Sequence, residues 1–299
     1  MSTLPNILTV DVEDYFQVSA FEHRISRDQW NSIPCRVEAS TDRLLQLFAD
    51  CNVHGTFFVL GWVAKHYPTL VRRIADAGHE LASHGFWHQL VYNLTPDEFR
   101  QDIRDSKAAI GDATGVGVTA YRAPSFSITN KSMWALDVLV EEGFTVDSSI
   151  FPIRHARGGM PGARPDIHTI QTQHGPITEI PPSVGRVGKL KVPIGGGYFR
   201  LFPLSLTRQA IRSIQAQNRP AMLYIHPWEI DPEQPRVSGI GRKSRARHYV
   251  GLGRTENRMR KLFATEIFTP LSETLRKNAT VPETEFTYCE TVQGEEHDN

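Results

Sequence analysis

Cysteine is scarce: Cys35, Cys51 and Cys289 are the whole complement, scattered along 299 residues. An odd number at irregular spacing builds neither a disulfide framework nor a zinc knuckle, and reads as reduced thiols in a reducing compartment. Charge of one sign is also missing. Lys plus Arg and Asp plus Glu balance at 33 each, so no global field argues for a nucleic-acid partner. No apolar run approaches the roughly 20 residues that span a bilayer. The opening Met1-Ser2-Thr3-Leu4-Pro5-Asn6 leads straight into a strand-like run, without the basic segment, apolar stretch and cleavage site of a secretory signal. There is no fixed-period repeat and no low-complexity region. Gly195-Gly196-Gly197 lacks the spacing and the Lys of a phosphate loop, which sets nucleotide binding aside. The expectation is a cytoplasmic chain without a transmembrane segment, long enough for one large α/β domain or two small ones.

What is present is alternation. Apolar, β-branched runs at Ile7–Val12, Thr56–Leu60, His79–Ser83, Val118–Arg122, Phe144–Asp147, Ile177–Pro181 and Ala221–His226 read as strands. Helix-period segments lie between most of them: Ser40–Cys51 with Leu44, Leu45, Leu47 and Phe48 facing in, Pro68–Gly78, Asn130–Glu142 and Leu204–Gln217. Thr95-Pro96-Asp97-Glu98 combines a Thr cap, a first-turn Pro and a Glu three residues on, and starts a helix running to about Ala113. His155–Gly175 is polar and rich in Gly and Pro, and reads as a loop. Strands that alternate with helices favour a parallel barrel or doubly wound sheet over a sandwich.

The polar residues that interrupt this pattern sit at strand ends, where parallel barrels gather their chemistry. Asp11-Val12-Glu13-Asp14 closes the first run. His84 and His88, four residues apart, can grip one metal ion, and two His with one carboxylate form a common open zinc site. Asp11 and Glu13 share a face of a regular strand, whereas Asp14 faces the site only if the chain has turned. Spacing does not decide which carboxylate ligates and which stays free as a base. Turn-forming acids and structural histidines are the plain alternatives. Phe86 and Trp87, between the imidazoles, form an apolar wall or belong to the core. Arg122 precedes Ala123-Pro124, whose Pro fixes the local backbone. His226 ends the last apolar run, with Asp147 as the carboxylate that orients it and raises its pKa, and Glu179 as the rival for that role. Between Arg236 and Lys261 lie nine cations and one acid, Glu256. A solvated loop entering a helix explains most of them, and a patch for a phosphate or uronate on a substrate is the second reading.

In order, the acidic cluster, His84-xxx-His88, Arg122-Ala123-Pro124, the Asp147 segment and Leu223-Tyr224-Ile225-His226 resemble the five motifs of the polysaccharide deacetylases, a carbohydrate esterase group. The resemblance runs from Leu8 to His226. Thr9–Phe16, Asp147-Ser148-Ser149-Ile150 and His226-Pro227-Trp228-Glu229 resemble the branch associated with bacterial exopolysaccharide loci, and Arg247-His248-Tyr249 resembles a feature of its C-terminal extension. Three departures stand out. Val12 and Glu13 separate two acids that are adjacent in the commoner first motif, Ser125 replaces an aromatic, and the fourth motif lacks its Trp.

The resemblance implies an α/β fold, a distorted (β/α)7-type barrel with a C-terminal extension. The chain divides into a barrel over 1–229, a basic helical extension packed on it over 230–277 and a polar tail over 278–299. It implies metal-dependent hydrolysis of an N-acetyl group on a bacterial polysaccharide or its lipid-linked precursor, in the cytoplasm or at the inner membrane face. Zn2+, or another divalent cation such as Co2+, Ni2+ or Mn2+, would be held by Asp14, with Glu13 as the alternative, and by His84 and His88. Asp11 would act as base with Arg122 holding it, His226 as acid oriented by Asp147, and Ser125 and Trp87 would contact the oxyanion and substrate. The partner is an N-acetylated glycan, with a homo-oligomer allowed. An allantoinase-like or other small-amide hydrolase, and a non-catalytic carbohydrate-binding protein, are the competing readings.

Overall fold

The strand β1, Asn6–Val12, is buried along its whole length because it has a neighbour on each side and helices on its faces. Such strands carry continuous apolar runs and do not alternate. In the computed structural model, which describes residues 4–154, 157–277 and 286–287 (the last two by backbone alone), β1 leads through a long connection to α1, Val37–Cys51. Then come β2 (Thr56–Val59), α2 (Gly61–His66), α3 (Pro68–Asp76), β3 (Glu80–Ser83), α4 (Pro96–Thr114), β4 (Ala120–Tyr121), α5 (Trp134–Glu141) and β5 (Val146–Asp147). The later part holds β6 (His168–Thr172), β7 (Gly175–Glu179), β8 (Val184–Val187), β9 (Leu190–Pro193), α6 (Gly196–Leu201), α7 (Leu204–Gln215) and β10 (Met222–Ile225). It closes with α8 (Arg242–Tyr249), α9 (Leu252–Phe263), β11 (Phe268–Thr269), α10 (Leu271–Lys277) and β12 (Phe286–Thr287).

The main sheet runs β10-β1-β2-β3-β4-β5-β7-β6-β12, with β11 added to β1. From β10 to β7 every pairing is parallel, and these seven strands are the seven apolar runs of the sequence. The sheet curls as a distorted half-barrel. Helix α4 starts as its sequence requires: Glu98 N–H donates to Thr95 Oγ1 (3.3 Å) while Glu98 Oε2 accepts from Thr95 N–H (2.8 Å). Leu44, Leu47 and Phe48 of α1 are buried, and Leu45 is partly buried.

One expectation fails, and one element was not anticipated. The segment read as a loop contains β6, which pairs antiparallel with β7. A second hairpin, β8–β9, forms a separate two-stranded sheet. Both are short, half-exposed ribbons with few apolar side chains to announce them. The polar tail lies outside the described residues apart from the β12 backbone, as does Cys289, and Cys35 and Cys51 are free thiols.

Strand register positions the site. Val10 pairs with Ile225 and Ser83 with Tyr121. The next residues therefore emerge side by side at the C-terminal edge: Asp11 beside His226, and His84 beside Arg122.

Candidate active site

Past β1 the chain turns, and the turn separates two adjacent carboxylates. Asp14 was expected beside the imidazoles, but its side chain points to the start of α1. There it accepts from the backbone N–H groups of Tyr15 (2.7 Å), Arg36 (2.6 Å) and Val37 (2.9 Å), and from Cys35 Sγ (2.8 Å). Arg36, at the N-cap position, offers no side-chain cap of its own, so Asp14 satisfies helix-end donors from 22 residues away in sequence. Glu13 takes the other direction. Its Oε2 lies 2.6 Å from His88 Nε2, and its Oε1 accepts from Trp228 Nε1 at 3.2 Å.

His84 follows β3 directly. Its Nδ1 is 2.8 Å from the Arg122 carbonyl, which can only accept, so Nδ1 carries the proton and Nε2 keeps its lone pair. His88 reaches the same point through a loop with no helical face: Gly85 sits at φ +72° and His88 at φ +51°. That loop is anchored from α4, where the buried Asp102 accepts from Phe86 N–H (2.8 Å) and Trp87 N–H (3.0 Å). A Cβ on Gly85 would lie 2.6 Å from Asp102 Oδ2, so the anchor needs glycine there as much as the positive φ does.

Glu13, His84 and His88 offer ligand atoms that all lie within 4.8 Å of one another, and all three residues are buried. Burial lowers the His84 pKa to about 4, against the opposing pull of Asp11 and Glu13, so the ring is neutral and able to ligate. Burial pushes the Glu13 carboxyl up, but the imidazoles around it, His88 first and His226 next, outweigh it and bring the pKa to about 2. Its buried Oε2 lies 2.6 Å from His88 Nε2 but outside hydrogen-bond geometry, the environment that a cation shared by the two atoms satisfies. One carboxylate and two imidazoles form a donor set suited to a divalent transition metal.

Asp11 belongs to a different contact. Its Oδ1 accepts from Arg122 Nη1 at 2.6 Å, and Arg122 is wholly buried, donating also to Thr9 Oγ1 (2.8 Å) and Ser148 Oγ (2.9 Å). His226 faces this carboxylate, with Nε2 3.8 Å from Asp11 Oδ2 and 3.6 Å from Glu13 Oε1.

Glu229, not Asp147, orients His226. Its Oε2 accepts from the His226 backbone N–H (3.0 Å) and lies 3.2 Å from His226 Nδ1, while its Oε1 accepts from Arg200 Nε at 2.6 Å. Asp147 lies within the sheet, bonded to Ser149 Oγ (2.5 Å) and sharing a buried carboxyl pair with Glu179, its register partner. Their hydrogen bonds go to Ser149 Oγ and to the Ile150 backbone N–H, and not to His226. Burial lowers the His226 pKa, but Glu229, with help from Glu13 and Asp11, more than reverses this and raises it to about 9. Trp228 stacks on His226 (centroids 5.1 Å apart) and on His248 of α8 (4.3 Å), so the last part of the chain walls the imidazole.

These groups open into one cavity of about 160 Å³, lined also by Ser19, Ser125, Phe126, Arg157, Tyr224 and Arg247. Ser125 occurs at φ +54° with its hydroxyl 2.9 Å from that of Ser19. Trp87 does not line the cavity; it is 36% exposed and packs beside Trp30 and Phe86. Sequence reasoning missed Glu229, Arg200, Asp102 and Ser19. Only Glu229 left a signal, an acid three residues after a strand-end His with Pro in the first turn, the pattern of a helix start.

Residues 29–145 match the family described as polysaccharide deacetylase, and residues 148–276 match a domain of unknown function, DUF3473. The chain is 30% identical over 113 residues to the peptidoglycan deacetylase of Helicobacter pylori, 38% of each chain. It is 31% identical over 98 residues to the peptidoglycan-N-acetylglucosamine deacetylase of Bacillus cereus, 32% of this chain and 36% of that one. The matched segments thus span little more than a third of these relatives' lengths. A crystal structure from Mycobacterium smegmatis assigned to the polysaccharide deacetylases superposes with a TM-score of 0.63 at 20% identity, covering 97% of this chain and 95% of that one, which shows the fold. Residues 29–145 therefore carry a polysaccharide deacetylase domain, and the whole chain shares the fold of the Mycobacterium smegmatis structure.

Proposed function

We propose that the protein hydrolyses the N-acetyl group of a sugar in a bacterial polysaccharide or its precursor, releasing acetate. The observation that carries this reading is the meeting of three groups in one cavity: Glu13 with His84 and His88, Asp11 held by Arg122, and His226 held by Glu229. The donor set fits a divalent ion, with zinc the first choice and Co2+, Ni2+ or Mn2+ as substitutes; when bound it would polarise the acetamide carbonyl and acidify water.

The chain's own residues divide the remaining work. Arg122 fixes Asp11, and that carboxylate takes the proton from the attacking water. The backbone N–H of Ser125, on a loop that lines the cavity, donates to the carbonyl oxygen as it gains charge. Glu229 keeps His226 protonated and aimed, and His226 gives its proton to the sugar nitrogen as the C–N bond breaks. Base and acid are both needed, since an unprotonated amine is a poor leaving group. Trp228 and Tyr224 exclude water around the imidazole.

The reading extends to an exopolysaccharide precursor handled in the cytoplasm or at the inner membrane face, on the resemblance of the His226–Glu229 segment and α8 to that branch. No helix among the described residues is long and apolar enough to cross a membrane. The test is acetate release from N-acetylated oligosaccharides by chelator-treated protein with and without zinc. Release restored by zinc and eliminated by Asp11→Asn supports the reading. Stoichiometric zinc without release from any N-acetylated glycan counts against it.

A further inference from the structure

The cavity has a second wall, and its chemistry differs from that of the hydrolytic centre. We propose that residues 148–276, the region matching a domain of unknown function, select a substrate that carries an anionic group, a carboxylate or phosphate, near the N-acetylated sugar. The inference rests on the deacetylase reading and adds the substrate class to it.

Four observations support it. First, the cavity is lined on this side by Arg157, Arg247 and Ser244, all from that region. The acids among its lining residues are Asp11 and Glu13, one committed to Arg122 and the other to the His pair. Second, Arg200 lines the same wall but serves as a strut. Its charge is matched by Glu229 (2.6 Å), and its remaining donors go to the carbonyls of Arg247 (3.3 Å), His248 (2.7 Å) and Val250 (2.7 Å). It thereby fixes the backbone from which Arg247 projects.

Third, α8 reads Arg242-Lys243-Ser244-Arg245-Ala246-Arg247-His248-Tyr249, four cations and no acid, which gives this wall a positive sign. The Arg247 guanidinium lies 5.7 Å from the ring of Tyr198, a contact that helps to orient it. Fourth, Arg157 is locked against the catalytic loop. Gly159 N–H donates to the Phe126 carbonyl (3.1 Å), Tyr92 Oη donates to the Arg157 carbonyl (3.0 Å), and a Cβ on Gly158 would lie 2.1 Å from the Phe126 oxygen. Only glycine allows that approach, which sets Arg157 beside Ser125. Among the described residues no carboxylate pairs with Arg157. Two guanidinium groups in a partly enclosed cavity suit planar oxyanions, which accept paired hydrogen bonds from Arg.

The experiment compares kcat/KM of the zinc-loaded enzyme on three probes: neutral N-acetylglucosamine tetrasaccharide, a hyaluronan tetrasaccharide with alternating glucuronate, and N-acetylglucosamine 1-phosphate. Natural protein, Arg157→Ala, Arg247→Ala and the exposed control Arg245→Ala are assayed. The expected result is a preference for one anionic probe over the neutral one. Loss of either arginine should cut that ratio by about tenfold to a hundredfold, the range for a charged hydrogen bond, and Arg245→Ala should not change it. Whether glucuronate or phosphate is preferred identifies the source of the charge. Equal use of neutral and anionic probes, or a preference that survives both substitutions, overturns the proposal. If no probe releases acetate, the deacetylase reading fails separately and calorimetric titration decides the inference. Binding of an anionic probe that depends on Arg157 and Arg247 supports it, and no such binding overturns it.

Discussion

The regions 29–145 and 148–276 meet in one cavity but are built in different ways. In the first, strands and helices alternate, pairing is parallel throughout, and each element lies close to where its sequence pattern puts it. In the second, two hairpins, short helices and a returning strand are held by distant partners: β10 pairs with β1, β11 pairs with β1, and Leu271 N–H donates to Thr56 Oγ1. The chemistry divides along the same line. His84, His88 and Arg122 come from the first region, and His226, Glu229, Arg200 and the cationic wall come from the second. A local pattern is enough to place the two imidazoles at a strand end, whereas His226, the proposed acid, depends on a network closed over long sequence distances.

The sharpest way to break this comparison is at the metal donors. Glu13→Ala should abolish bound zinc and acetate release together, whereas Asp11→Asn should lower the rate by about 10²–10⁴ while zinc stays bound. Metal analysis beside the assay separates the two, and zinc lost equally from both would erase the division between ligand and base.

On the other side of the cavity, Glu229→Gln should lower kcat by about tenfold to a hundredfold with little change in KM, since it removes the charge that holds His226 protonated. Asp147→Asn should cost less, and the reverse order would restore Asp147 to the role the sequence suggested for it.

A third substitution tests folding apart from catalysis. Asp14→Ala should leave zinc content unchanged and reduce stability to denaturant by about 1–3 kcal/mol, because it strands buried backbone donors at the start of α1.

The smallest effect concerns pH. Burial raises the carboxyls of both Asp147 and Glu179 above their ordinary values, and their proximity raises Glu179 further. The folded state therefore holds a proton that the unfolded chain releases. The stability involved is full below the ordinary carboxyl pKa and is lost as pH rises toward the raised folded value. Glu179→Gln supplies the hydrogen bond without a titrating proton, so melting temperatures measured from about pH 5 to pH 8 should fall less than those of the natural protein.

The readable parts of the site share a physical cause. A buried parallel strand needs an unbroken apolar run, so its end is visible as the first polar residue, and Asp11, His84, Arg122 and His226 were found in that way. The errors also share one. Glu13 and Asp14 are neighbours with the same charge, and nothing local tells which faces the imidazoles. That depends on where α1 begins, since its unsatisfied N–H groups draw Asp14 away. Asp147 ends a strand as His226 does, but pairing with Glu179 keeps it within the sheet. Trp87 follows a loop whose direction is set by Asp102 on another helix.

The sequence by itself therefore determined the seven parallel strands, the starts of α3, α4 and α7 and the residue types gathered at the strand ends, because apolar periodicity and capping are local properties of the chain. Only the tertiary structure decided that Glu13 joins His84 and His88, that Glu229 and Arg200 support His226, and that Arg157 and Arg247 face the same cavity. Those choices turn on the direction of single side chains, and direction is fixed by partners that burial and hydrogen bonding bring together from far apart in the chain.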